Sequence, residues 1–285
     1  MILAGTRPLL VCCSIIIVFL SGCIPNSPSF KVHTETADPA KVALLLDKAE
    51  RYSLVAKSKA SLWKSIAVFE QVVALDSSNY AALVTLSHLY LLAGDGYEQS
   101  ISKKVDLFKK ARASSEQAMY QNSGFRRRID SGEKIWEACT ELSVQEVDAI
   151  VFWVTSLLYY YKECLGPIGQ ILNYAWIKRA RIMLETAESL NAEWGGGIIY
   201  LTWGLYYLSI PEVVGGDRDK SVKYFAKAIE TGPHRLINHW ARAKYYHVKM
   251  GNRDSFTEDL QWILNQDLRR VNDHMAWRHF YLSLI

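Results

Sequence analysis

Proline and cysteine are scarce in this chain of 285 residues, at 7 and 5 copies, and the Val/Ile/Thr alternation that marks half-buried strands is missing. That absence excludes sheet-built classes. No HExxH, no phosphate-cradling glycine loop and no Gly-x-Ser-x-Gly occurs, so the usual signatures of metalloproteases, nucleotide enzymes and serine hydrolases are lacking. His234 with His239, and His274 with His279, are each spaced so that the two members fall on different faces of a helix, which disfavours a zinc pair. The formal net charge of +4 is spread along the chain, and Arg126-Arg127-Arg128 is the one cationic triplet. It reads as a solvated helix start or loop, not a nucleic-acid footprint. The expectation is a non-enzymatic protein without metal or cofactor.

Long apolar runs are also few, and the clearest sits at the N-terminus, where Pro8 to Leu20 follows Arg7 and carries no charge. It is shorter than the roughly 20 residues a membrane-spanning helix needs, and has the layout of an export signal. Leu20-Ser21-Gly22-Cys23 closes it. This ending resembles the lipobox of bacterial lipoproteins, which implies cleavage after residue 22, lipidation of Cys23 with chains such as palmitate, and a protein held on a membrane surface. Ile24 stands where a retention aspartate would be, which points to the inner leaflet of the outer membrane, facing the periplasm. Residues 23–39 include Pro25, Pro28 and Pro39 with several Ser and Thr and read as a flexible tether. Residues 40–285 form the folded domain. Removal of the signal also takes Cys12 and Cys13, which leaves Cys139 and Cys164 as the thiols besides Cys23. Sequence leaves their pairing open.

Within residues 40–285 apolar residues recur at spacings of three and four throughout, so the domain is all-α. Several segments fit the tetratricopeptide pattern of about 34 residues per helix pair, with bulky residues at positions 4, 7, 11 and 24 and small ones at 8, 20 and 27. Leu83, Leu86, Ser87, Tyr90 and Gly94 keep step with its first helix, and Ser65, Phe69 and Val72 with the second helix before it. The fullest unit is Tyr200, Trp203, Gly204 and Tyr207 followed, after a short insertion, by Gly216, Ser221, Phe225, Ala228 and Pro233. Ala180, Leu184, Ala187 and Ala192 supply another second helix, and Trp240 to Gly251 opens a degenerate pair. Insertions between Gly94 and Ala111 and over residues 122–148 break the regular spacing. The expected architecture is therefore a compact, closed bundle of tetratricopeptide-like repeats and not an open solenoid.

The C-terminal half resembles one family in particular. Arg179-Ala180-Arg181, Leu190-Asn191-Ala192-Glu193-Trp194-Gly195, Gly204-Leu205-Tyr206-Tyr207, Gly215-Gly216-Asp217 and Ala243-Lys244-Tyr245-Tyr246 run in the order seen in TatT, the T-component lipoproteins of TRAP (tripartite ATP-independent periplasmic) transporters. The resemblance implies a homotrimeric helical-repeat lipoprotein that pairs with a periplasmic solute-binding protein, the P-component. It also implies a small hydrophobic or organic-acid ligand that is bound or passed on. The rival readings are a protein-protein scaffold of the cell envelope and a lipid-carrier or outer-membrane assembly factor.

Aromatic loading is the best lead to a site, with 9 Trp and 16 Tyr. Those at pattern positions are expected in the core. Tyr159-Tyr160-Tyr161 cannot all face one core, because successive helical residues turn by about 100 degrees. Trp153, Tyr160, Trp203 and Tyr206 are accordingly expected to line a ligand cleft, since a semi-polar organic molecule needs ring faces and a few hydroxyls. Gly195-Gly196-Gly197 is read first as a tight inter-repeat turn and second as an anion site.

Overall fold

The computed structural model describes residues 38–267 and 270–283. The expected export signal, Cys23 and residues 24–37 of the expected tether over 23–39 lie outside the described residues. Helix α1 (Pro39–Leu54) starts with Pro39 in its first turn and Asp38 as its cap, the arrangement that a fixed proline φ and an orphan N–H favour. Helix α2 (Lys59–Leu75) opens on a reciprocal Ser58/Ser61 capping box and buries Leu62, Ile66, Phe69 and Val72 along one stripe. This stripe is the reason the two helices form a pair.

The second pair joins α3 (Tyr80–Leu92) to α4 (Ile101–Met119). Ser87, at the small position of the pattern, donates to the Ala111 carbonyl at 2.8 Å and lies 2.8 Å from Ser115 Oγ. A larger residue there would hold the helices apart. Residues 122–148 then leave the repeat for the short helices α5 (Ser123–Asp130) and α6 (Ile135–Ala138) and two 3-10 turns. The arginine triplet lies on α5, where Arg128 pairs with Glu133. The repeat resumes with α7 (Val147–Tyr159), the short α8 (Pro167–Leu172) and α9 (Tyr174–Asn191).

Next come α10 (Trp194–Ser209) and α11 (Arg218–Thr231), the fullest match to the pattern. The Phe225 ring sits against bare Gly204, where a Cβ would meet it at 3.1 Å, and Ser221 donates to the Gly204 carbonyl at 2.8 Å. Gly195, Gly196 and Gly197 have φ of 67°, 64° and 87°, a left-handed run that side chains resist, and Gly197 lies directly on the Ala228 carbonyl. The triplet is the tight turn its sequence suggests.

The last pair is α12 (Leu236–Ala241) running on to α13 (Val248–Met250), packed on α14 (Arg253–Leu264). A final helix, α15 (Met275–Ser283), turns back against α1, α12 and α14. Ser53 at the end of α1 and His274 are joined at 3.1 Å, so the two ends of the repeat array meet and the bundle closes. Among the described residues there is no strand, and no helix is long and apolar enough to cross a membrane. Cys139 and Cys164 are free thiols.

Candidate functional site

Three first helices of the array carry π-helical turns: Ala93–Tyr97 after α3, Tyr160–Cys164 after α7 and Arg242–His247 between α12 and α13. A π-turn inserts a residue, widens the helix and re-aims the side chains that follow, and such turns collect at functional sites. Here they aim charges at one point. Asp95 Oδ1 receives Lys244 Nζ at 2.5 Å and the Tyr245 hydroxyl at 2.5 Å. Tyr245 also reaches Glu163 at 3.2 Å, and Lys104 from the first turn of α4 binds the other Glu163 oxygen at 2.5 Å. The Lys162 ammonium stands over the Tyr245 ring, 3.7 Å from its centroid.

Burial governs the electrostatics of this hub. It raises the Asp95 carboxyl, but Lys244 beside it brings the net pKa below the usual carboxylate range. Glu163 goes the other way, pushed up first by burial and then by Asp95. Burial works against the Lys244 ammonium too, yet Asp95 and Glu163 together raise its pKa. Lys162 gains less from its neighbours, and burial lowers it to about 7. The hub therefore clamps three repeat units through paired charges in a low-dielectric setting, where breaking one pair strands the other charge. Asp95 Oδ2 remains buried without a hydrogen-bond partner.

The hub was missed in the sequence because its members lie far apart in the chain. One signal was legible: with Trp240 at position 4 and Gly251 at position 15, Lys244 falls at position 8, which the pattern reserves for a small residue.

The four aromatic residues expected at a cleft separate into two places. Trp153 on α7 is fully buried, donates its indole N–H to Glu116 at 2.9 Å and tilts against Trp176. Tyr160, about two turns further on, borders a cavity of about 10 Å³ shared with Phe108, Lys109, Arg112, Ser156 and Leu157, room for little more than a water molecule. Trp203 and Tyr206 meet edge to face on α10, with 5.4 Å between centroids, and Trp203 donates to Glu188 at 2.8 Å. Trp203 stacks on Tyr207 and Tyr224. Tyr207 in turn borders a roomier cavity of about 150 Å³ at the α10–α11 connection, lined also by Leu208, Asp217, Arg218 and Lys249. The three consecutive tyrosines are all buried, because the π-turn rotates the chain between them: Tyr159 faces Phe108 and Tyr245, and Tyr161 donates to the Gln170 carbonyl.

The surface that the array turns inward is carried by neighbouring residues. Phe152 stacks on His88 with centroids 4.7 Å apart and meets Trp194 at 5.9 Å. His274 and Trp277 approach the same His88 ring. Burial, followed by the positive fields of His274 and Arg235, holds His88 well below the usual imidazole range, and burial lowers His274 to about 4. A second buried group ties α12 to α14, where Asp259 accepts from Arg242 and meets His239, whose ring stacks on Trp262 at 3.6 Å. Among the described residues no group of three His, Cys, Asp or Glu has the arrangement to hold a metal ion.

The family model of the TRAP transporter T-component, TAtT, matches residues 80–275, from the start of α3 to the start of α15. The chain belongs to this family. As a T-component it is an accessory part of a TRAP transport system of the cell envelope, in a family that is not known for enzymes. No curated protein matches the chain. The match takes in all three π-turns of this T-component and leaves α1, α2 and nearly all of α15 outside.

Proposed function

We propose that this T-component is lipidated at Cys23, stands on the outer membrane facing the periplasm, assembles as a homotrimer and docks a soluble solute-binding protein, the P-component. Handover of ligand is non-covalent. The family match over residues 80–275 carries this reading, and the closed bundle supports it by offering a rigid body for docking. The ligand is a small hydrophobic or organic-acid molecule sheltered at the α10–α11 cavity. Arg218 and Lys249 supply cations for an acid group, and Tyr207 supplies a ring face for the apolar body. Trp203 and Tyr206 hold that wall from behind, while Trp153 and Tyr160 set the neighbouring repeat against it.

Affinity capture from the native envelope with the full chain as bait is the test. Stoichiometric recovery of a periplasmic solute-binding protein is the expected result. Recovery of envelope assembly proteins, or of nothing, would favour the scaffold and lipid-carrier readings. For the ligand site, Trp203→Ala and Tyr206→Ala should weaken ligand binding in a folded protein, and unchanged affinity in both would remove the cavity assignment.

A further inference from the structure

Two turns at one end of the bundle are inside out. Side-chain contacts fix which turns share that end: Lys59, the first residue of α2, donates to the Tyr97 carbonyl at 3.2 Å, and Lys104 in the first turn of α4 pairs with Glu163, just past α7. The α1–α2 turn and α8, which follows Glu163 by a few residues, therefore lie together. In the α1–α2 turn the small residues Ser53 and Ala56 are buried, while the two large aliphatic residues between them, Leu54 and Val55, are 56% and 59% exposed. Ser53 is held by His274, and the Ala56 N–H donates to the Ser53 carbonyl, so the outward aim is built into the turn. On α8 the inversion recurs. Gln170 turns inward to the Tyr161 and Leu165 carbonyls, whereas Ile168, Ile171 and Leu172, at i, i+3 and i+4, are 67%, 73% and 63% exposed. A lone exposed aliphatic residue is ordinary, but large apolar residues outward over small or polar ones inward, twice at one end, is the reverse of what water selects.

Charge complements the apolar tips. From Arg51 to Phe69 the chain has four cations, Arg51, Lys57, Lys59 and Lys64, and no Asp or Glu. Lys57 and Lys64 are exposed, and Tyr52 and Trp63 flank them at the surface. Aliphatic tips with cations and amphipathic rings are the composition that settles at the boundary of lipid headgroups and acyl chains. Charge of one sign fits an anionic lipid surface, whereas a protein surface mixes both signs. Residues 24–37 can span up to about 50 Å when extended, against a length of about 24 Å for the 16 residues of α1, so an anchored Cys23 still lets this end reach the same membrane.

We propose that this end of the bundle lies on the membrane, with Leu54, Val55, Ile168, Ile171 and Leu172 in the headgroup–acyl boundary and Lys57 and Lys64 on anionic headgroups. The proposal rests on the membrane location in the transport reading and names the face that meets the lipid. The α1–α2 turn is outside the matched residues 80–275, so this contact is a property of the chain and not of the family match.

The test is amide hydrogen exchange of the full chain with and without vesicles of phosphatidylethanolamine and phosphatidylglycerol in equal amounts. Amides of residues 54–56 and 168–172 should exchange at least about tenfold more slowly on the vesicles, and those of α5, beyond the far end of α4, at an unchanged rate. Leu54→Ser/Val55→Ser and Lys57→Glu/Lys64→Glu should each remove the protection at the α1–α2 turn, with the circular dichroism of the wild type because all four side chains are exposed. Sedimentation with native envelope membranes tests the membrane location separately from the face. Unchanged exchange at both turns, whether or not the chain sediments with the vesicles, would overturn the proposal, as would equal protection in the variants. Protection that appears without vesicles as the chain is concentrated would assign the face to a second copy and overturn it too.

Discussion

The π-turn hub and the α15 groove both gather residues from distant repeats, and they do so by opposite means. At the hub every cationic head has a carboxylate, a carbonyl or a ring to face, and the pairs Asp95–Lys244 and Glu163–Lys104 are at 2.5 Å. In the groove the contact is ring on ring, and donors on both sides stay unmet. A buried charge pair is costly to break from one side, whereas an aromatic face accepts any ring of suitable shape. The difference separates a clamp of paired charges that ties three repeats together from a seam of ring contacts that seats α15.

The largest expected effect comes from breaking the clamp. Lys244→Met strands the buried Asp95 carboxylate and should cost about 3–5 kcal/mol in denaturant unfolding, while Asp95→Leu/Lys244→Met should cost less than the single changes predict together. Simple additivity would mean that the hub is not a coupled unit.

The groove should respond to pH. Below the usual imidazole value the unfolded chain takes up protons at His88 and His274, and the folded chain does not, since burial holds both lower and His274 at about 4. The unfolded state then binds more protons, so stability falls as pH drops from 6.5 towards 4, by up to about 1.4 kcal/mol per pH unit for each histidine. Arg235 and Arg278 face these rings and sharpen the effect. His274→Gln should flatten the slope of melting temperature against pH.

Lys162 offers a smaller gain. Its folded pKa of about 7 lies below the ordinary 10.5, so the folded chain pays for its proton at neutral pH and the deficit fades as pH rises between those values. Lys162→Met should therefore stabilise at pH 7 by about 1–2 kcal/mol and by less at pH 10. The smallest change expected is Trp240→Phe, which removes an unmet donor but keeps most of the ring; its unfolding free energy in denaturant should stay within about 0.5 kcal/mol of the wild type or rise.

Much of the fold was legible because tetratricopeptide positions are packing positions. Ser87, Gly204, Ser221 and Phe225 do locally what the pattern requires of them, and the glycine triplet carries the positive φ that its composition suggests. The aromatic residues were harder to place. Direction on a helix depends on about 100 degrees per residue, so Phe152 faces inward while Trp153 beside it faces Glu116 and Trp176. The π-turn then shifts the phase again for Tyr160 and Tyr161. The hub was hidden for another reason: Asp95, Glu163 and Lys244 come together only when the array curves, and curvature is a sum over all the repeats.

Native-state hydrogen exchange of the full chain tests this division of labour most directly. Amides of Ala93–Tyr97, Tyr160–Cys164 and Arg242–His247 should exchange only with global unfolding, and those of Met275–Ser283 at least about a hundredfold faster through local release. Protection of α15 equal to that of the three π-turns would contradict the account, because the groove would then be as permanent a part of the fold as the clamp.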